Sequence, residues 1–182
     1  MVSDKHQMRA DARALRKDLA SSAPQAAERL ATHVSALPAA NLVALYHPFG
    51  SEISTMALAQ ALGAADRGLC LPVVVHSQSP MLFRRWVPGD PLEPDLAGVP
   101  APLPLARPVT PDLILTPLLA FDAQGGRLGQ GGGHYDRTFA ALPDAIRIGV
   151  AYAGQEVARL TLEPHDVRLH GILTEAGYRA FP

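Results

Sequence analysis

The chain is poor in cysteine, in long apolar runs and in net charge. A single cysteine, Cys70, among 182 residues excludes an internal disulfide framework and a zinc site built from several thiolates. It sits within an apolar run, as an inert core thiol does. Apolar stretches are short and broken by proline or charge, so no bilayer-spanning segment is expected. The N-terminus runs into charged residues, unlike a secretory signal. A net charge of −1 gives no global electrostatic case for nucleic acid or an anionic membrane. With 48% hydrophobic residues the chain is not disordered either. The expectation is one soluble cytoplasmic domain over residues 1–182.

Residues 4–20 have helical spacing. Met8, Ala12, Leu15 and Leu19 form one stripe, expected to be buried, and Lys5, Arg9, Arg13 and Arg16 form a second beside it. Only Asp4, Asp11 and Asp18 are near enough in sequence to balance these cations. The basic stripe is either a solvated face or the wall of a cleft that holds an anion. A second helix is expected over residues 24–37, with Ser22 or Pro24 at its start and Pro38 at its end. A third follows Ser54 and Thr55.

Continuous apolar runs at 42–46, 69–75, 81–86, 112–116 and 146–152 read as strands, and 171–174 as the last. The proline-dense stretch from Pro88 to Pro111 is expected to hold no regular element. Short apolar strands alternating with helices indicate an α/β domain with a mainly parallel sheet. Ligands in such folds gather beyond the carboxyl ends of the strands.

The segment from Asp122 to Arg137 leaves a strand and enters a helix, and it contains six glycines. Such a loop brings backbone N–H groups close to a guest, and the helix N-terminus favours an anion. Arg127 adds a planar cation suited to phosphate oxygens. The loop is neither a Walker A motif nor a dinucleotide fingerprint, because His134 follows Gly133. It is a phosphate cradle or a flexible connector. Asp136 is placed for magnesium or simply for the helix dipole. Glu52 follows a buried strand, as a ligand contact or as a surface acid. The histidines are scattered over separate stretches and are not expected to form a metal site. Asp166 has no sequence support of its own.

Together these residues resemble the 5-formyltetrahydrofolate cyclo-ligase family. The most specific block runs from Pro111-Asp112-Leu113-Ile114-Leu115-Thr116 through Gly126-Arg127-Leu128-Gly129 to Gly131-Gly132-Gly133-His134-Tyr135-Asp136-Arg137. Weaker blocks stand in the family's order at Lys5 to Arg9, at Tyr46 to Thr55, and at Glu163 to Thr174. The resemblance implies a three-layer α/β/α fold. It implies an enzyme that uses ATP and Mg²⁺ to close 5-formyltetrahydrofolate to 5,10-methenyltetrahydrofolate, with ADP and phosphate released. It implies no nucleic-acid or membrane partner, and a monomer is expected.

Site residues follow by position. Lys5 and Arg9 match the basic pair on the ATP phosphates. Arg127, Leu128, Gly129, Gln130, Gly131, Gly132, Gly133, His134 and Tyr135 match the nucleotide loop, and Arg127 and Lys5 are the expected catalytic cations. Glu52 matches the acid that holds the pterin, with His47, Gln130 and His134 also lining the folate. Asp136 and Asp166 match the magnesium positions. The family more often has Tyr or Phe where His134 stands, so His134 is expected to lie flat against the ligand and not to move protons. A catalytically silent relative, or another phosphate-handling enzyme on a similar scaffold, is the rival reading.

Overall fold

The computed structural model describes residues 2–182, with side chains from Lys5 onward; Asp4, expected beside the basic stripe, lies outside those side chains. The chain runs α1 (Val2–Ser22), α2 (Ala26–Thr32), β1 (Leu42–Ala44), α3 (Met56–Ala64), β2 (Gly68–Val73), β3 (Leu82–Arg85), β4 (Leu92–Pro94), β5 (Pro100–Pro102) and β6 (Pro108–Val109). It continues through β7 (Leu113–Pro117), β8 (Ala120–Asp122), β9 (Arg127–Leu128), α4 (His134–Ala141), β10 (Ile146–Val150), β11 (Glu156–Val157), β12 (Gly171–Thr174) and β13 (Gly177–Ala180).

Eight strands form the main sheet in the order β13-β12-β10-β7-β1-β2-β3-β6. The five from β12 to β2 are parallel, and β13, β3 and β6 continue the edges antiparallel to their neighbours. Side chains alternate across a strand, so apolar runs feed both faces. Val43, Leu69, Leu71, Leu113 and Leu115 join the core beneath α2 and α3, with Leu30, Leu58 and Leu62. Ala44, Cys70 and Ile114 point the other way, to Phe121 and to Phe139 of α4. The expected layers of helix, mainly parallel sheet and helix are therefore present. Cys70 is fully buried, and burial pushes its thiol up to about 12.

Chain order reverses at β1. Its sequence successor β2 lies on one side, and β7 on the other. The carboxyl ends of β1 and β7 diverge there and leave a crevice, the usual ligand position in open α/β sheets.

Several expectations need correction. On α1 the apolar stripe holds only in part: Ala12 and Leu19 pack against the core, but Met8 and Leu15 do not. Met8 is 36% and Leu15 42% exposed, whereas Arg16 is 4% exposed. The basic side chains turn inward because the loops above the sheet present carbonyls and carboxylates that need donors. The second helix stops at Thr32 and gives way to a 3-10 turn at Val34–Ala36, so it does not reach residue 37 as one element. The proline-dense stretch is not irregular throughout. Its prolines pair in the β4–β5 ribbon and in the edge strand β6, where a missing N–H leaves no ladder bond unmade. The last strand is β13, an edge strand too polar for its pattern to stand out. The glycine loop contains the short strand β9, which pairs with β8. No described helix is long and apolar enough to cross a membrane.

Candidate functional site

A cavity of about 1100 Å³ opens over the crevice between β1 and β7. Its floor is Tyr46 and His47 after β1, Pro72 at the end of β2, and Pro117 at the end of β7. Along one wall lies α1, whose four cationic side chains face in and each bind a different partner. Lys5 Nζ is 3.0 Å from Glu163 and 3.6 Å from Asp166. Arg9 Nε donates to the Gly129 carbonyl at 3.1 Å. Arg13 Nε donates to Gln130 Oε1 at 2.9 Å. Arg16 donates to Ser51 Oγ, Glu52 Oε1 and the Leu118 carbonyl at 3.1, 3.4 and 3.2 Å. The residues of α1 that line the cavity run from Lys5 to Ser21, about 24 Å of helix at ~1.5 Å of rise per residue.

The opposite wall is the glycine loop. Asp122 builds its start. Its carboxylate accepts from the backbone N–H groups of Gln124, Gly126 and Leu160 at 2.8–2.9 Å. Burial would raise the Asp122 carboxyl, but these three donors outweigh it and hold the group below its usual range. Farther on, Gly131 (φ +105°) and Gly133 (φ +68°) occupy left-handed backbone that side chains disfavour. Gly133 is the N-cap of α4, so the N-terminus of that helix faces the cavity.

Arg127 is gripped from behind. Its Nη2 lies 2.8 Å from Asp136 Oδ2 in the first turn of α4, and its guanidinium lies 5.7 Å from the ring centres of both Tyr135 and Phe139. Its Nε is buried without a hydrogen-bond partner among the described residues. The other oxygen of Asp136 accepts from the Val167 N–H at 3.2 Å. That bond draws the Glu163-to-Asp166 turn against the glycine loop. Glu163, His165 and Asp166 place their ligating atoms within 4.8 Å of one another. The expectation that the histidines form no metal site needs correction here, because His165 shares this group with two carboxylates.

Glu52 closes the far end. Its Oε2 accepts from the Phe49 N–H at 3.0 Å, and Arg16 reaches Oε1. Burial raises the Glu52 carboxyl, and the Phe49 N–H and Arg16 oppose that shift. Tyr46, beneath it, is driven well above the ordinary phenol range by burial and by the nearby Glu52 charge. His134 is half-buried beside the loop, with Nδ1 3.2 Å from Arg137 Nη2. An arginine can only donate, so Nδ1 accepts and the neutral ring carries its proton on Nε2. Burial and Arg137 both lower the His134 pKa. The N-terminus of α4 beside the ring opposes a second positive charge as well.

Every residue assigned from the sequence lines this one cavity: Lys5, Arg9, His47, Glu52, Arg127 to Asp136, and Asp166. Residues the sequence left unassigned join them. Arg13 and Arg16 belonged to the visible stripe but had no role until the loops were in place. Glu163 and His165 precede Asp166 and carry no spacing signal. Val74, Met81 and Asp95 reach the cavity from distant elements.

A family model described as the 5-formyltetrahydrofolate cyclo-ligase family matches residues 1–175. The chain is 36% identical over 180 residues to the 5-formyltetrahydrofolate cyclo-ligase of Haemophilus influenzae, covering 93% of this chain and 96% of that one. It is 34% identical over 157 residues to that of Escherichia coli K12, covering 82% and 86%. Among solved structures, it is similar to the 5,10-methenyltetrahydrofolate synthetase of Aquifex aeolicus. The TM-score there is 0.82 at 27% identity, over 97% of this chain and 92% of the other.

Proposed function

Because the chain belongs to the 5-formyltetrahydrofolate cyclo-ligase family, which converts 5-formyltetrahydrofolate to 5,10-methenyltetrahydrofolate at the expense of ATP, we propose that both substrates meet in the cavity beneath α1. The observation that carries this reading is the helix itself. One rigid element sets Lys5 beside the Glu163-to-Asp166 turn, Arg9 beside the glycine loop and Arg16 beside Glu52, so three loops are held at fixed separations.

The reaction needs ATP because a formyl oxygen leaves badly as oxide. That oxygen attacks the γ-phosphorus, a new P–O bond forms, and the bond to ADP breaks. N10 then attacks the activated carbon, the C–O bond breaks, and phosphate departs with the electron pair. Loss of the N10 proton leaves the methenyl product. The protein's share is positioning and charge stabilisation. Lys5, Arg9 and Arg127 face the phosphates, with Lys5 and Arg127 the cations at the transferred group. The loop from Leu128 to Tyr135 supplies N–H groups and the α4 N-terminus. Glu52 accepts hydrogen bonds from the pterin's amino and ring N–H groups. His47, Gln130 and His134 border the folate.

The carboxylates of Asp136 and Asp166, with Glu163 next to them, are hard oxygen donors that suit Mg²⁺, which when bound there neutralises phosphate charge. Asp136 keeps lone pairs for such a role although Arg127 and Val167 already use its two oxygens.

The test is absorbance at the methenyl band after mixing purified protein, MgATP and 5-formyltetrahydrofolate. Product that depends on ATP is expected. Its absence from folded protein that still binds nucleotide would favour the silent relative.

A further inference from the structure

Glu52 is a carboxylate placed in a largely buried position where its charge is costly, and one side chain answers it. The Arg16 side chain is 5% and the Glu52 side chain 8% exposed. Arg16 spends its donors on three partners from two parts of the chain: Ser51 and Glu52 in the loop after β1, and Leu118 after β7. The same Leu118 carbonyl also accepts from Gln155 at 3.0 Å. The guanidinium is thus wedged into the crevice where strand order reverses. Its planar fork suits several acceptors at fixed angles, which an ammonium cannot match.

Arg16 lines the cavity as Lys5 and Arg9 do, but its side chain is far more buried than that of Lys5. Its donors go to Glu52 and to the two loops beside it. The Phe49 N–H takes Oε2 and Arg16 takes Oε1, so both carboxylate oxygens are oriented before any ligand arrives. We infer that Arg16 is a positioning residue that acts on the folate through Glu52, holding its carboxylate charged and turned toward the pterin. This rests on the assignment of Glu52 to the pterin made above. Arg16 is therefore distinct from the other three cations of the stripe, which work on the nucleotide side or on Gln130.

The experiment is a double-mutant cycle with separate KM values for ATP and folate. Arg16→Lys and Arg16→Gln should each raise the folate KM about tenfold or more while the ATP KM stays within about threefold. In a Glu52→Gln background the same changes should shift the folate KM by less than about threefold, since Arg16 then has no charge to hold. Arg16→Gln alone leaves Glu52 buried and unpaired, and the protein can fail to fold. The Arg16→Gln/Glu52→Gln protein buries no unpaired charge, so its comparison with Glu52→Gln keeps the test available. Equal rises in the two KM values would show that Arg16 merely pins α1, and full additivity in the Glu52→Gln background would show that it acts elsewhere; either result overturns the inference. A folate KM unmoved by Glu52→Gln alone is a different failure, that of the pterin assignment.

Discussion

Arg127 and Asp136 meet at 2.8 Å, guanidinium against carboxylate, between the short strand β9 and the first turn of α4. The cation expected to face phosphate and an acid expected to face magnesium are therefore one ion pair. Each neutralises the other in a half-buried setting, and the pair fixes the glycine loop to the helix it precedes. Binding of MgATP would add charge of both signs to a site that is already balanced.

Arg127→Ala should lower kcat/KM for ATP. A charge-assisted contact with phosphate contributes about 1.5–3 kcal/mol, which corresponds to roughly 10- to 150-fold. Arg127→Lys should not restore activity fully, because the lysine cannot bind Asp136 and lie against Tyr135 and Phe139 with the same planar group. Steady-state kinetics at saturating folate decide this. Wild-type ATP kinetics in the alanine variant would remove Arg127 from the phosphate site.

Asp136→Asn should raise the magnesium concentration needed for half-maximal turnover. Neutralising a ligand loosens a cation shared with phosphates. A magnesium titration at fixed ATP is the measurement. An unchanged midpoint with reduced kcat would confine Asp136 to holding Arg127.

His134→Phe should keep kcat within about tenfold, a barrier change of no more than ~1.4 kcal/mol. Burial and Arg137 keep the ring neutral near pH 7, so the pH–rate profile there should not change. General acid–base catalysis is worth about 10²–10⁴-fold. A loss of that size together with a vanished limb of the profile would make His134 a proton carrier in this chain.

Asp122→Asn should destabilise the fold more than it alters chemistry. Three backbone N–H groups converge on the carboxylate, and an amide presents only one acceptor to them. The expected loss is about 2–4 kcal/mol, or a fall in Tm of roughly 5–15 °C. The sign with pH follows from a folded pKa below the unfolded one. The stabilisation is complete above the unfolded value near 4 and is lost as pH falls through the folded value. The variant should therefore show a shallower acid-unfolding slope than the parent. An unchanged slope would mean the carboxylate contributes as a shape and not as a charge.

Much of the parallel sheet was legible because strands such as Leu113–Leu115 are buried on both faces and read as unbroken apolar runs. The edges were not. Residues 177–180 and 92–102 need only one hydrogen-bonding side, so their composition is free to be polar or proline-rich. In α1 the period was visible, but only Ala12 and Leu19 of the apolar stripe are packed on the core. Hydrophobicity alone would bury Met8 and Leu15, whereas unsatisfied acceptors on the loops claimed Arg9 and Arg16. The glycine loop announced itself by its composition. The turn from Glu163 to Asp166 is joined to it by long-range bonds with no local signal, among them Val167 N–H to Asp136 and Leu169 N–H to the Gly125 carbonyl.

Among the described side chains, the apolar anchors of α1 are Ala12, Leu19 and Ala20, all from the middle of the helix onward. The turns before Ala12 rest on Lys5 and Arg9, through an ion pair and a single carbonyl. Contacts of that kind weaken with electrolyte, whereas apolar contacts do not. The amino-terminal turns should thus take up deuterium faster as ionic strength rises, while residues 15–22 exchange at a steady rate. Bound triphosphate would tie Lys5 and Arg9 to the loop opposite and slow that uptake. The backbone of α1 then serves as a spectator that reports occupancy of the cavity without any label.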